Sequence, residues 1–322
     1  MLNKIIISLL VFICLVGCDG KEQKVEISGR TMGTSYHIVL SDSLSNEHAT
    51  KEALQKELDD ILINVNQQMS TYISDSEISQ FNQSKSLEWF PISNDFLTVI
   101  KSAQEISQKT NGAFDITVGP LIELWGFGKK VRTDKPSNSQ INNIRDRVGY
   151  QKLSFRDTPP ALKKSNESLF INVSAIAKGF AVDKLSDYLI AKNYKNFMVE
   201  IGGELRVSGK SPRGKAWSIA IRNPDLNSTE IQKKMLSLDN QAVATSGNYL
   251  NFFIEDKVRY SHILDPRTGQ SKTQKAMSIT VVNKSTMVAD AYATALVVLG
   301  VEEGKKLAQQ LGLEVYWANI TE

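Results

Sequence analysis

Hydrophobic residues recur along this chain with two periods, one helical and one of strand type. Over 47–68, Leu54, Leu58, Ile61, Leu62 and Val65 share one helical face, and over 94–110 Phe96, Val99, Ile100 and Ala103 repeat the pattern. Further helices are predicted over 287–299 and 302–311. Alternation predicts strands over 25–40, broken at Gly29 and again near Gly33, and over 197–201 and 205–207 around Gly202-Gly203-Glu204. Strands over 217–221, 241–245, 258–263, 277–282 and 313–318 follow. The stretch from Gly112 to Leu124 is punctuated by Gly and Pro and reads as short and irregular. Lys129 to Gln140 reads as a polar loop. Strands gather into hairpins instead of alternating regularly with helices. The pattern therefore predicts an α+β fold of mostly antiparallel sheets flanked by helices. No repeat or linker divides the chain, so residues 25–322 are read as one domain.

The first apolar run is of another kind. Residues 5–16 are apolar behind a single charge, Lys4, and are too short to span a membrane, which fits a secretory signal. The run ends in Leu15-Val16-Gly17-Cys18, which resembles a bacterial lipobox. An ordinary signal peptide with an incidental cysteine is the plainer alternative, but a small residue followed by Cys stands where cleavage would fall. The expectation is a signal peptide over 1–17, a lipidated Cys18 and a polar tether over 18–24. Several acyl chains, palmitate among them, give stable anchoring. Asp19 resembles an inner-membrane retention signal, so the expected address is the periplasmic side of the inner membrane. Cys14 and Cys18 are the two cysteines, so the mature chain has no disulfide and depends on its core. The net charge of +3 comes from 38 basic and 35 acidic residues mixed throughout, which is no nucleic-acid footprint.

Several short segments carry candidate chemistry. In Asn172-Val173-Ser174-Ala175-Ile176-Ala177-Lys178-Gly179-Phe180, Ser174 is read as the N-cap of an amphipathic helix. Small residues at a helix start let backbone N–H groups approach phosphate, and Lys178 adds a positive charge for a pyrophosphate oxygen. Taken alone, a capped helix with a surface lysine is the favoured reading. Asp290 and Thr294 are four apart and share a helix face, which suits a hard cation, or simply an acid near the start of a buried helix. His262 is placed by a strand beside the Asp265-Pro266-Arg267-Thr268-Gly269 turn, in a structural or a catalytic role. Gly112 to Leu121 can wall a flat ligand or turn a corner. Gly209 to Lys215 has phosphate-loop spacing, but Ala216 stands where a hydroxyl is required, so it reads as a hairpin loop. Gly126-Phe127-Gly128 lacks the third glycine of a dinucleotide fingerprint. His37, His48 and His262 are the three histidines, and no mature thiol is free, which argues against zinc by its usual ligands.

In order along the chain stand Met32-Gly33-Thr34, Met69-Ser70-Thr71-Tyr72, the Gly112 to Leu121 segment, Ser174 to Asp183 and Gly202-Gly203-Glu204. Thr245-Ser246-Gly247-Asn248-Tyr249, Ser261 to Gly269 and Ala289 to Leu296 follow. This set, behind a lipobox, resembles the ApbE family of FAD:protein FMN transferases over nearly the whole mature chain. The resemblance implies an α+β fold holding FAD between two halves. It implies Mg²⁺-dependent transfer of FMN to a Thr or Ser hydroxyl of an acceptor protein, with AMP released. Membrane redox-pump subunits and other exported flavoproteins are the acceptors it suggests. It also implies metal ligation by the Ala175 backbone oxygen, Asp290 and Thr294. Flavin contacts are implied at Met32, Tyr72, Ala113, Phe114, Asp115, Lys178 and Ser261-His262-Ile263. Asn172 departs from the family, which commonly has Asp there, and the resemblance then implies a hydrogen bond to FAD of changed sense, since an amide also donates. Lys178 and the cation would neutralise charge on the pyrophosphate, and His262 is the best base by type. An FAD pyrophosphatase and a non-catalytic lipid-anchored flavin-binding protein are the alternatives.

Overall fold

The computed structural model describes residues 24–42, 50–129, 131–221, 234–273 and 277–319. The expected signal peptide, Cys18 and Asp19 lie outside them. Alternating side chains build the frame. Val25–Thr31 and Thr34–Leu40 form a hairpin that buries Ile27, Tyr36, Ile38 and Leu40 on one side. Phe197–Ile201, Glu204–Ser208, Ala242–Gly247, Met277–Asn283 and Glu314–Asn319 follow in that order, giving a seven-stranded sheet with every pair antiparallel. Gly29 does not break the first strand, contrary to expectation. It pairs with Tyr36, whose ring covers it so closely that a Cβ would lie 2.5–2.9 Å from ring atoms.

Helices cover one face of this sheet. Thr50, Ser93 and Ser285 each cap a helix by accepting a backbone N–H, at the starts of Lys51–Met69, Asn94–Lys109 and Thr286–Leu299. The Thr286–Leu299 helix is buried along most of its length. Its small residues Ala289, Ala291, Ala293 and Ala295 let it lie against the Ala242–Gly247 and Met277–Asn283 strands and the Ala177–Ala191 helix. The other sheet face is covered by the hairpin Trp217–Ile221 and Lys234–Leu238, packed on Leu205, Val207, Val243 and Val282. Met277–Asn283 is thus covered on both faces, which accounts for the burial of Met277 to Val282, the hydroxyl residues Ser278 and Thr280 included.

Three departures bear on the site. The Gly112 to Leu124 stretch contains a short helix, Gly119–Leu124, entered through Pro120 near its first position. The expected strand over 258–263 ends at Ser261, so His262 lies in the bend after it. The Gly209 to Lys215 loop is not a hairpin loop: it joins two strands that do not pair, Glu204–Ser208 in the large sheet and Trp217–Ile221 in the outer hairpin. A second apolar cluster, with Leu121, Trp125, Ile141, Phe253, Tyr260 and Leu264, stands beside the first. Trp125 anchors it by donating from its indole nitrogen to the Gly269 carbonyl at 2.9 Å.

Candidate active site

The start of the Ala177–Ala191 helix is the centre of the site. Asn172 donates its N–H to the Ile116 carbonyl at 2.7 Å, and its Oδ1 accepts from Ser174 N at 2.9 Å. That turn, not a capped helix, occupies 172–176, because short amide side chains bond the backbone two residues on. Ser174 is therefore not the N-cap. Ile176 holds that position and offers no side-chain cap; Ala177 donates its N–H to the Val173 carbonyl at 2.8 Å and Gly179 donates to Asp290, which leaves the Lys178 N–H without a partner among the described residues. An Asx turn needs only an acceptor oxygen at 172, so Asn serves it as well as Asp. The Asn172 amide nitrogen keeps no partner among the described residues and adds a donor.

Two cavities meet at this helix start. One of about 410 Å³ is lined by Ala113, Phe114, Asp115, Ala175, Glu204, His262, Ile263, Asp290 and Thr294. The other, of about 460 Å³, is lined by Met32, Met69, Tyr72 and Ala177. Both include Asn172, Ser174 and Lys178, so they form one cleft with Lys178 at its middle. Met32 sits at the hairpin turn with φ of 50°. Tyr72 is 74% exposed at the cleft edge, with Lys129 Nζ 5.8 Å from its ring centre.

The second helix is locked to the first. Gly179 donates its N–H to Asp290 Oδ2 at 3.1 Å. In a continued helix that N–H would bond the Ala175 carbonyl, which accepts no hydrogen bond among the described residues. Asp183 accepts from Thr286 N at 2.9 Å, Met287 N at 3.0 Å and Ser285 Oγ at 2.7 Å, fixing the start of the Asp290 helix. Arg206 reaches Asp183 at 3.4 Å and Asp187 at 2.9 Å. Asp290 and Thr294 project one turn apart into the same cavity, and Thr294 Oγ1 lies 3.4 Å from Ser246 Oγ.

Charge is concentrated under Lys178. Its Nζ is 2.7 Å from Oε1 of Glu204, a carboxylate only 2% exposed, whose Oε2 has no partner. Burial first, and then the charge of Asp290, push Glu204 up to about 8. Burial likewise raises Asp290, against the pull of Lys178 and the Gly179 N–H. Burial alone would lower Lys178, but the charges of Glu204 and Asp290 raise it, so it stays an ammonium. Glu204 was not expected among the site residues, although its Gly-Gly-Glu turn was noticed. Glycines before a Glu read as an exposed turn, whereas the register opposite Ile201 turns this side chain inward.

His262 is half-buried. Its Nδ1 lies 3.1 Å from the Asn251 carbonyl oxygen, which only accepts, so Nδ1 carries the proton and Nε2 is left as an acceptor. Burial, aided by the charge of Lys178, lowers its pKa below 6.5. Asp115 lines the same cavity and also braces the scaffold. Its Oδ1 accepts from Thr117 N and Oγ1, and its Oδ2 from Tyr150 N at 2.7 Å. The Asp115 carboxylate is thereby committed to the scaffold, and burial raises its pKa.

The residues present suit a hard cation. Asp290, Thr294 and Ala175 offer carboxylate, hydroxyl and unpartnered carbonyl oxygens to one cavity. No group of three or more His, Cys, Asp or Glu gathers among the described residues, so such a cation would rely on this mixed oxygen set.

The fold and cleft define an α+β protein with an open helix start and oxygen donors facing a common cavity. The sequence model described as the ApbE family matches residues 32–317. The FAD:protein FMN transferase of Vibrio cholerae serotype O1 is 42% identical over 94% of this chain and 90% of that protein. That of Haemophilus influenzae is 38% identical over 97% and 91%. The solved flavin transferase ApbE from Vibrio cholerae superposes with a TM-score of 0.85 at 41% identity, covering 93% of this chain and 94% of that one. The apo flavinyl transferase ApbE of Pseudomonas stutzeri gives 0.84 at 36% identity, covering 93% and 92%. The chain belongs to the ApbE family.

Proposed function

We propose that this chain transfers FMN from FAD to a serine or threonine hydroxyl of an acceptor protein, releasing AMP. The observation that carries this reading is the single cleft in which Lys178 stands midway, beside Asp290, Thr294 and the Ala175 carbonyl. A dinucleotide laid along it would bring its pyrophosphate to the Lys178 ammonium and to the Lys178 backbone N–H at the helix start. Met32 and Tyr72 would hold one end, and Ala113, Phe114 and Ile263 the other. The relatives named FAD:protein FMN transferase support the same substrate.

The acceptor oxygen attacks the FMN-side phosphorus. A new P–O bond forms, the bond to the AMP oxygen breaks, and AMP leaves with that oxygen. His262 Nε2 takes the hydroxyl proton, directly or through a water, because Asn251 holds the other nitrogen in its protonated form. Lys178 pairs with the oxygens that gain charge, and Glu204 fixes the ammonium in place. Bound Mg²⁺, held by Asp290, Thr294 and Ala175, would supply charge neutralisation on the pyrophosphate. Asn172 would place its free amide N–H₂ toward FAD.

We also propose that Cys18 anchors the protein to the periplasmic face of the inner membrane, with exported flavoproteins such as redox-pump subunits as acceptors. The supporting observation is the lipobox-like Leu15-Val16-Gly17-Cys18. The decisive test incubates the soluble fragment with FAD, Mg²⁺ and an acceptor flavoprotein domain. In-gel flavin fluorescence and AMP release are followed together. Equal amounts of protein-bound flavin and AMP support the transferase. AMP and free FMN without labelled protein indicate a pyrophosphatase.

A further inference from the structure

We propose that the hairpin of Phe252–Glu255 and Val258–Ser261 is the docking face for the acceptor protein, and that it receives an extended apolar segment flanking the hydroxyl to be modified. The inference rests on the transferase reading above. One face of this hairpin is already used: Phe253 and Tyr260 are buried and stack with ring centres 5.3 Å apart, against Trp125. Alternation along the strand turns Phe252 and Ile254 the other way, where they are 39% and 64% exposed, and Leu250, in the bend before the strand, is 62% exposed. Large apolar side chains exposed this close together are uncommon on a protein with no partner. Arg259, opposite Ile254 in register, lies over the Phe252 ring at 4.9 Å and is held by two bonds to Asn248. The strip is thus apolar with its cation tied down. Among the described residues, Phe252–Glu255 pairs only with Val258–Ser261, which leaves its other edge open to an added strand.

Position connects this strip to the reaction. Leu250 and Asn251 line the cavity of about 410 Å³ that holds His262, and the Asn251 carbonyl accepts both bonds from His262. The strip therefore starts at the mouth beside the proposed base and runs outward. An acceptor protein is far larger than the cavity, so only its hydroxyl and neighbouring residues can enter. Its flanking chain must lie on surface continuous with the mouth. An extended segment with alternate apolar residues matches both the open edge and the spacing of Phe252 and Ile254.

The test uses the whole soluble protein with a flavoprotein domain that the wild type labels. Ile254→Glu and Phe252→Ser change the strip without touching the cavity. Each is expected to raise the KM for the acceptor about tenfold or more, as loss of an interface anchor does. FAD affinity and the rate at saturating acceptor should stay within about twofold. Unchanged acceptor KM in both variants, with the wild type active, overturns the docking face alone. Loss of FAD affinity in step with rate overturns it in favour of a structural role. Loss of binding to phosphatidylglycerol vesicles with acceptor KM unchanged overturns it in favour of a lipid-facing strip. A wild type that binds FAD yet labels no acceptor brings down the transferase reading first, and this proposal with it.

Discussion

Gly179 offers the sharpest test of how the site is built. A Cβ at this position would lie 2.7 Å from both Met287 N and Cα, and closer still to the Thr286 carbonyl oxygen. All are backbone atoms of the neighbouring helix, so no side chain can swing aside. Gly179→Ala must separate the two helix starts by a large fraction of an ångström to reach ordinary contact. Overpacking of this kind costs about 1–3 kcal/mol. At about 2 cal/mol/K of unfolding entropy per residue, a 300-residue domain would lose only about 2–5 °C in Tm. The catalytic loss should be larger. The same shift stretches the bond from Gly179 N to Asp290 Oδ2 and displaces Thr294 one turn on. A misplacement near 1 Å in a reacting constellation costs on the order of 10²-fold in rate. Calorimetry and single-turnover FMN transfer on the same preparation measure both quantities. A variant that transfers FMN at wild-type rate, with an unchanged cation requirement, would refute the close approach as the device that positions Asp290.

Other expectations follow from single groups. Asp290→Ala should lower transfer by orders of magnitude and abolish the Mg²⁺ dependence of FAD binding, while Thr294→Val should do less; fluorescence titration of FAD with and without chelator checks this. His262→Asn should cut turnover by roughly 10²–10⁴ with FAD affinity retained. Because burial favours the neutral ring, wild-type activity should hold at neutral pH and fall only below pH 6.5, as the imidazole protonates. The same depressed pKa gives a stability contribution that is complete above 6.5 and is lost as pH falls through the folded value, which acid melting curves would register. Cys18→Ala should leave the protein unprocessed or soluble, and acyl-free wild-type protein in the membrane fraction by mass spectrometry would refute the anchor.

The pattern of apolar residues gave away the large elements because their burial is one-sided. Leu54, Leu58, Leu62 and Val65 pack on the core from one helical face, and the expected helix over 94–110 differs from Asn94–Lys109 by a single residue. Short elements were hidden. The helix Asn138–Arg145 starts inside the polar loop read over 129–140 and runs on beyond it, unseen because only Ile141 on it is buried; its signal is the Ser137 to Gln140 capping box. The helix Glu77–Gln83 had a similar cue in Ser76. The sheet of Phe90–Pro91, Ala161–Lys164 and Leu153–Arg156 is made of strands too short to show a period. Gly29 misled because a glycine that interrupts a pattern usually marks a break, whereas here it makes room for a ring.

Within the site, spacing revealed what one helix holds and missed what two elements share. Four-residue spacing puts Asp290 and Thr294 on one helix face, although spacing alone leaves open an acid near the start of a buried helix. Spacing does not reveal Asp183 and Glu204, because their roles depend on partners 102–104 residues away in one case and on strand register in the other. The charge in the cavity supports the cation proposed above. Two buried carboxylates, Glu204 and Asp290, face one ammonium, Lys178, so the protein side of the cavity carries excess negative charge when all are ionised. A pyrophosphate entering there alone would meet carboxylate repulsion that a single lysine offsets only in part. A divalent cation held by Asp290, Thr294 and the Ala175 carbonyl would offset that negative charge where the proposed pyrophosphate lies. Cation and dinucleotide should therefore bind with positive coupling, each raising the affinity of the other by the same factor. The locked helix starts, with Asp183 and Gly179 between them, keep the charges at the spacing on which that coupling depends.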